Sequence, residues 1–386
     1  MGNLAIIGTG FVADLYMRSL AAFPELKVVN VYDRDGQRLE AFCRHWNVPA
    51  ATGIDAMLGG PAERIDLVLN LTNPGSHFEV SSRCLAAGKS VYSEKPLATD
   101  MAQAFELHAL AKAKGLELAS APCSVLSQAA QTAWLAVRNG KIGKPLLVYA
   151  ELDDDFVPQA PYAKWQSESG APWPYRDEFE IGCTLEHAGY YLTWLLAMFG
   201  SVRTVVAASA GLVAGKLPDG APTAPDYACA NLFFESGVVA RLTCSIVAPH
   251  DHAFRVIGDA GVLEMDECWN NSAAVRIRKR HTIRRKLFNS PIAQSFAIKG
   301  PTHPMVGRWG AAAMNFALGP VEVLAALKER RPCRIGADFS LHLNEVTLAI
   351  QNSGQNTGAQ TMTTTCPTME PMPWADGAAV RQGLAR

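Results

Sequence analysis

The chain has 386 residues, of which 49% are hydrophobic, and its formal net charge is −1. This length exceeds the size at which one core usually divides, so we expect two domains. A nearly neutral charge provides no general attraction to nucleic acid or anionic membranes, and we expect neither as a partner. We see no apolar run close to the ~20 residues that span a bilayer and no signal-peptide layout. The nine cysteines lack CxxC spacing, which predicts reduced thiols in a cytoplasmic protein.

The chain begins with an apolar run and a glycine-rich turn. Residues 4–7 predict a buried parallel strand, and the apolar spacing that follows predicts a helix. Gly8 permits a tight turn, Gly10 allows backbone N–H groups to approach a phosphate, and Ala13 is small enough for the helix to pack on the sheet. We therefore expect a dinucleotide pyrophosphate at the helix N-terminus, held by Gly8, Thr9, Gly10, Phe11, Val12 and Ala13.

A second apolar run, residues 28–32, ends in Asp33, which lies 20 residues beyond Ala13. A carboxylate at this position accepts hydrogen bonds from ribose hydroxyls and repels a 2′-phosphate, so we expect NAD rather than NADP. Arg34 weakens this distinction, because a guanidinium beside the ribose tolerates a phosphate. The alternative is an ordinary strand–helix turn in which Asp33 caps the next helix.

Strands and helices alternate as far as residue 121. Strands are predicted over 65–71, 90–92 and 116–121, and helices over 37–46, 78–87 and 101–114. Such alternation indicates an α/β domain with a parallel sheet, here residues 1–121. Ligands of these sheets lie at the carboxyl ends of the strands. We therefore add to the cofactor site the residues of two further strand ends, Thr72, Asn73, Pro74, His77, Glu94, Lys95 and Pro96.

After residue 121 the pattern changes to an α+β arrangement. Helices are predicted over 126–138 and 185–199, and strands over 146–152, 204–208, 228–234 and 238–247, the last two joined by a hairpin turn at Ser236 and Gly237. We assign residues 122–386 to a second domain with a large, mainly antiparallel sheet, and we expect the tail from residue 352 to wrap as an extended segment. In the basic run 276–286, the alternation over residues 275–279 predicts an edge strand whose charges resist aggregation. The alternatives are a contact with a phosphorylated substrate and an oligomer contact.

These motifs occur in an order that resembles the Gfo/Idh/MocA oxidoreductases. The resemblance rests on the turn at residues 8–13, the segment 73–77, Glu94-Lys95-Pro96, the turn at residues 140–143 and the segment 182–190. It implies a Rossmann domain followed by an open-sheet substrate domain, and hydride transfer between nicotinamide and a sugar or cyclitol carbon. It also implies a cis peptide before Pro96 and assembly as a homodimer or homotetramer.

The chemistry of a carbinol requires a group that takes or gives the hydroxyl proton. Lys95 is suited to polarise the reacting oxygen, and we expect Glu94 to hold its ammonium. The alternative is a solvated or structurally paired lysine.

In most relatives a helix carries Asp and, four residues later, a catalytic His. Alignment by Gly182 places Glu186 and Tyr190 at those positions, which share one face of an α-helix. A phenol is a poor base unless a cation such as Lys95 stabilises phenolate. His187 has the better intrinsic pKa but points about 100° away from Glu186. We prefer Tyr190, and His187 remains the alternative.

Two further groups are candidates for substrate binding. The first group consists of aromatic rings and cations in one polar stretch, namely Lys164, Trp165, Trp173, Tyr175 and Arg176. Such side chains suit a carbohydrate, although a role of the rings as a hydrophobic anchor of a loop explains them equally well. His250 and His252 could reach the cleft from the second sheet. We expect no metal there, because the sequence shows nothing that supplies the remaining ligands.

The sequence therefore predicts an NAD-dependent dehydrogenase or reductase of a sugar, sugar acid or cyclitol. One alternative is a redox-neutral, NAD-dependent glycoside hydrolase that works by oxidation, elimination and reduction. The other is an NAD-binding regulator without catalysis.

Overall fold

A computed structural model of the protein describes residues 2–60, 65–308, 310–354 and 358–376. The strands of the described chain are β1 Gly2–Ile7, β2 Leu26–Tyr32, β3 Leu67–Asn70, β4 Val91–Ser93, β5 Leu118–Ser120, β6 Pro145–Asp153, β7 Val202–Ala210, β8 Tyr227–Phe234, β9 Val239–Ser245, β10 Phe254–Gly258, β11 Gly261–Met265, β12 Val275–Ile283, β13 Lys286–Asn289, β14 Gln294–Phe296 and β15 Ala359–Thr361. The helices are α1 Phe11–Leu20, α2 Gly36–Trp46, α3 Ile54–Leu58, α4 His77–Ala86, α5 Met101–Lys114, α6 Gln128–Arg138, α7 Tyr175–Ile181, α8 Gly189–Phe199, α9 Leu318–Glu329 and α10 Ala337–Gln351.

The first sheet has five parallel strands in the order β2-β1-β3-β4-β5. Leu4, Ala5 and Ile6 of β1 are fully buried, as expected for a strand covered on both faces. The predicted Rossmann architecture is therefore confirmed. Because β1, β3 and β4 are neighbours, their carboxyl ends lie along one edge of the sheet.

The second sheet has ten strands, and nine of them follow the order β13-β12-β11-β10-β6-β9-β8-β7-β15. Its pairs are antiparallel except for β6 and β9, so the predicted mainly antiparallel sheet is also confirmed. The prediction of an edge strand in the basic run is wrong. β12 lies between β11 on one side and β13 and β14 on the other. Its arginines pair with acidic side chains near β11, Arg278 with Glu264 at 2.8 Å and Arg276 with Asp266.

Helices that the sequence did not predict connect the two halves. α9 packs on β3, β4 and β5, and α10 packs on α5 and β7. The helical stretch Gly310–Glu329 is long and apolar enough to cross a membrane by length and composition, contrary to the sequence expectation, but half of it is buried within the protein. It covers the first sheet, so the apolar character of this stretch is explained by packing.

The tail between Gly358 and Asp376 runs as an extended segment over the second half. β15 pairs with β7. The Glu345 carboxylate on α10 accepts hydrogen bonds from the backbone N–H and hydroxyl groups of Thr363 and Thr364, at 2.5 to 2.9 Å. Burial alone would raise the pKa of Glu345, but these hydrogen bonds hold it below its ordinary value.

We predict that Glu345→Gln lowers the free energy of unfolding by about 2 kcal/mol at neutral pH, since hydrogen bonds to a charged acceptor contribute about 1.5–3 kcal/mol each. A carboxylate whose pKa is lowered by folding stabilises the protein fully above the pKa that it has in the unfolded chain. This stabilisation is lost as the pH falls through the pKa of the folded state. The difference from wild type should therefore shrink below about pH 4.5. Denaturant unfolding of both proteins at neutral pH and at acidic pH measures this difference in the free energy of unfolding. Glu106→Gln, at an exposed position of α5, is the control, and a difference that stays constant with pH would contradict this account.

Candidate active site

The glycine-rich turn after β1 has the shape and donors that a pyrophosphate requires. Gly8 has φ +99°, and a Cβ there would lie 2.5 Å from the Leu71 carbonyl oxygen, so only glycine fits. Gly10 precedes α1 and provides no side-chain cap, and a Cβ built on it meets no described atom within 4 Å. The first N–H groups of α1, from Phe11 and Val12, have no acceptor within the helix and lie at its positive end, where an anion is favoured.

Asp33 stands beside this turn and is mostly buried. Its carboxylate accepts hydrogen bonds from the Thr9 backbone N–H at 2.7 Å and hydroxyl at 2.9 Å. Arg38 approaches the same carboxylate to 3.7 Å, whereas Arg34 is exposed. Asp35, not Asp33, caps α2, by accepting from the backbone N–H groups of Gln37 and Arg38, so the capping alternative is wrong. The position of Asp33 at the end of β2 fits contact with a ribose.

His77 holds two loops of the crevice together. Its imidazole is fully buried, with Nδ1 2.7 Å from the Pro96 carbonyl oxygen and Nε2 2.8 Å from the Thr72 carbonyl oxygen. Both ring nitrogens are thereby engaged, so the structure gives His77 a positioning role instead of the predicted cofactor contact. In the same loop, Asn73 donates to Asp177 at 2.8 Å, and Pro74 begins a short 3₁₀ turn before α4.

Lys95 follows β4, and its peptide bond to Pro96 is cis, as the resemblance implies. Its ammonium forms an ion pair with Glu186, and the side chains of Lys95 and Glu186 are 18% and 5% exposed. The prediction that Glu94 holds this ammonium is wrong. The Glu94 carboxylate instead accepts hydrogen bonds from the Tyr16 hydroxyl on α1 and from the Lys95 backbone N–H.

The charges around this pair favour a protonated Lys95. Burial alone would lower the pKa of Lys95, but the carboxylates of Glu186 and Glu178 raise it above its ordinary value. Burial and the nearby Glu186 carboxylate raise the pKa of Glu178 in turn, which makes Glu178 a candidate proton donor beside the ion pair. The sequence analysis did not single out Glu178, because it predicted no helix in the polar stretch where α7 lies.

Tyr190 lies near the start of α8 and shares a cavity with Lys95. The cavity has a volume of about 20 Å³, room for one water molecule, and Tyr16, Tyr92 and Glu94 also line it. Close packing fixes α8 here, since a Cβ at Gly189 would lie 2.8 Å from Pro122. Burial raises the pKa of Tyr190, and the Lys95 ammonium opposes this effect without overcoming it. The phenol is therefore neutral, whereas the sequence argument invoked a phenolate stabilised by Lys95.

His187 lies within a π-helical turn, Thr184–Ala188, that precedes α8. This wider turn replaces the α-helical spacing assumed from the sequence, and π turns are frequent at functional sites. Burial, with a further contribution from the Lys95 ammonium, lowers the pKa of His187 to about 3. His187 Nε2 lies 3.6 Å from an Asp154 carboxylate oxygen. His187 is thus a neutral imidazole close to Lys95, and both proton-transfer candidates stay near the ion pair.

The aromatic stretch before α7 divides into packed and exposed side chains. Trp173 and Tyr175 pack against Tyr162 and Phe179 through tilted and edge-on ring contacts, which supports the anchoring interpretation for these rings. Trp165 is 37% exposed, and Lys164 is also exposed. The Arg176 guanidinium forms ion pairs with Glu180 at 3.0 Å and with Asp219, both at the surface.

The same stretch crosses to the first domain. We call residues 154–174 the crossing loop. Ser169 donates to the Asp14 carboxylate on α1 through its backbone N–H at 3.1 Å and its hydroxyl at 2.8 Å. Glu168 forms an ion pair with Arg18 of α1. These contacts place the crossing loop beside the helix whose N-terminus forms the phosphate cradle.

His250 and His252 come together with an acidic residue that the sequence did not indicate. Potential ligand atoms of Asp154, His250 and His252 all lie within 4.8 Å of one another. Asp154 thus supplies a possible third ligand atom beside the two histidines, which the sequence did not indicate. The physical reason is topological: β6, which ends before Asp154, pairs with β10, which begins after His252.

Known proteins resemble both halves of the chain. A family profile described as "Oxidoreductase family, NAD-binding Rossmann fold" matches residues 3–121, and one described as "GFO/IDH/MocA C-terminal domain" matches residues 130–264. Trans-1,2-dihydrobenzene-1,2-diol dehydrogenase from Mus musculus is 26% identical over 268 residues, which cover 68% of this chain and 74% of that protein.

Solved structures share the fold over nearly the whole chain. The WlbA dehydrogenase from Bordetella pertussis, in complex with NADH and UDP-GlcNAcA, matches with TM-score 0.69 and 16% identity, over 95% of this chain and 98% of that one. KijD10, a 3-ketoreductase from Actinomadura kijaniata in complex with NADP and TDP-benzene, matches with TM-score 0.70 and 21% identity, over 91% of this chain and 97% of that one. With both profiles matched in order, the chain belongs to the Gfo/Idh/MocA family of NAD(P)-binding oxidoreductases.

Proposed function

We propose that this protein transfers hydride between NAD and a carbinol carbon of a sugar, sugar acid or cyclitol. The observation that supports this most is the buried ion pair of Lys95 and Glu186 at the carboxyl end of β4, with the neutral Tyr190 phenol on the same cavity. A cation and a proton donor beside a dinucleotide cradle match the needs of carbinol and carbonyl interconversion. The related enzymes that bind nucleotide sugars or oxidise a diol support the substrate class.

The residues of the cradle fit a dinucleotide, whose nicotinamide would supply the hydride acceptor or donor. Asp33 supports NAD over NADP, because its carboxylate would meet a 2′-phosphate with like charge. Lys95 would polarise the substrate oxygen and stabilise negative charge as it develops. Glu186 would keep that ammonium charged and in place, since a hydrogen-bonded ion pair is both oriented and strong.

Tyr190 would donate its proton to the substrate oxygen during reduction. In the oxidative direction the same phenol must first lose its proton, which its raised pKa makes difficult at neutral pH. His187 remains the alternative group, because its neutral ring lies close to Lys95.

We predict that Tyr190→Phe abolishes turnover without weakening NADH binding, because only the phenolic proton is removed. In wild type, oxidation should accelerate with rising pH toward the raised pKa of Tyr190, by about tenfold per pH unit where the phenolate fraction limits the rate. The assay measures NADH formation with NAD and a panel of aldoses, aldonic acids and cyclitols, and NADH binding by fluorescence.

Tyr149→Phe, on the second sheet, is the matched control for that experiment and should behave as wild type. An active Tyr190→Phe together with an inactive His187→Ala would transfer the role to His187. Cleavage of a glycoside without accumulation of NADH would instead support the hydrolase alternative, and NAD binding with no turnover of any panel member would support the regulator.

For the cofactor, we predict that Asp33→Ser raises the affinity for NADPH relative to NADH by about tenfold or more, equivalent to about 1.4 kcal/mol. The substitution removes the like charge and leaves Arg38 and Arg34 near the ribose. Titration followed by the fluorescence of the reduced cofactor measures both affinities before any substrate is known. Asp35→Ser, which retains a capping side chain on α2, is the control; an unchanged preference in Asp33→Ser would refute the assignment.

We also propose a cytoplasmic homodimer or homotetramer. The nine cysteines are all free thiols, as a reducing compartment requires. Light scattering of the purified protein tests the oligomeric state.

A further inference from the structure

The cluster of Asp154, His250 and His252 arises from the pairing of β6 with the segment before β10. Asp153 and Asp251 exchange two backbone hydrogen bonds of 3.0 Å. In an extended strand, residues two apart point to the same side, so His250 and His252 lie together, with ring centroids 4.1 Å apart. The chain fold thereby brings Asp154 to both rings.

The hydrogen bonding of His252 leaves one nitrogen ready to bind a metal. His252 is 1% exposed, and its Nδ1 lies 2.9 Å from a carboxylate oxygen of Glu267. A carboxylate accepts, so Nδ1 carries the proton and Nε2 keeps its lone pair. Among the residues that the structure describes, this buried Nε2 has no hydrogen-bond partner. A carboxylate behind a histidine that ligates through its other nitrogen is the usual support of a metal-bound histidine.

The distances in the cluster are those of separated ligands and exceed ordinary hydrogen bonds. His250 Nδ1 lies 3.8 Å from one oxygen of Asp154, and His187 Nε2 lies 3.6 Å from the other. Bonds of 2.0–2.1 Å to a tetrahedral Zn²⁺ place neighbouring ligand atoms about 3.4 Å apart. A shift of a few tenths of an ångström therefore suffices to bring His250 Nδ1 and the Asp154 oxygen to that separation.

We propose that Asp154, His250 and His252 bind one divalent transition-metal ion of the Zn²⁺ type, with Glu267 as the support of His252 and the fourth position open to water or another small ligand. Imidazole donors with one carboxylate favour Zn²⁺ or Co²⁺ over Mg²⁺ and Ca²⁺, which prefer oxygen ligands. The site adjoins the substrate cleft through His187. It does not depend on the proposed reaction.

A second grouping, His252 with Glu267 and Cys268, is less suited to a metal. It would require His252 Nδ1 to lose its bond to Glu267. The same Glu267 oxygen also accepts from the backbone N–H groups of Cys268 and Trp269, both at 2.8 Å. This carboxylate is already satisfied, so it serves as a support and not as a ligand.

Metal binding to the full-length, chelator-treated protein tests the site. We expect calorimetric titration with Zn²⁺ to show one saturable site per chain, and Co²⁺ to give visible absorption typical of tetrahedral nitrogen and oxygen ligands. His250→Ala should weaken Zn²⁺ binding at least tenfold, and Asp154→Asn should do the same. Because His250 is partly exposed, that variant should fold, which circular dichroism checks. His281→Ala, at an exposed histidine on β12, is the control and should bind as wild type.

Three results would overturn the proposal. The first is the absence of saturable binding in wild type. The second is binding that survives both His250→Ala and Asp154→Asn. The third is loss of the metal in Cys268→Ser but not in His250→Ala, accompanied by a thiolate-to-cobalt absorption band, which would place the ion in the other grouping.

Discussion

The ion pair between Lys95 and Glu186 is the interaction on which the site depends. The two residues are 91 positions apart and belong to different halves of the chain. Each is mostly buried, and a buried charge without its partner is strongly unfavourable. The site can therefore exist only when the end of β4 and the turn before α8 meet. The same pairing keeps the ammonium charged in surroundings that would otherwise favour its neutral form.

Several contacts hold the two halves in this arrangement. α9 and α10 return from the second half to cover the first sheet and its helix α5. Ser169 and Glu168 of the crossing loop also bind α1. A cofactor at the end of α1 would thus be flanked by the crossing loop. Enclosure of this kind excludes water and strengthens the electrostatic interactions on which hydride and proton transfer depend.

The π-helical turn and the start of α8 place three different side chains near the Lys95 ammonium. Glu186 forms an ion pair with it, its charge helps to lower the pKa of His187, and Tyr190 lines the same cavity. Through Asp154, His187 also contacts the histidine cluster at the ends of β6 and β10. His187 therefore lies between Lys95, which follows β4, and Asp154, which follows β6.

The sequence by itself determined the local structure of the first domain and the identity of its cofactor cradle. Buried apolar runs, the glycine turn and Asp33 are close together in the chain, so periodicity and spacing suffice to recognise them. It also singled out Lys95, Glu186, Tyr190 and His187, which the fold brings near one another. Only the tertiary structure decided which groups meet. The partner of Lys95 is Glu186 instead of Glu94, Glu178 joins the pair, and Asp154 completes the histidine cluster, because these contacts depend on strand pairing and helix packing between distant segments. Whether the phenol and imidazole carry charge was likewise decided by burial, a property of the folded chain that no spacing reveals.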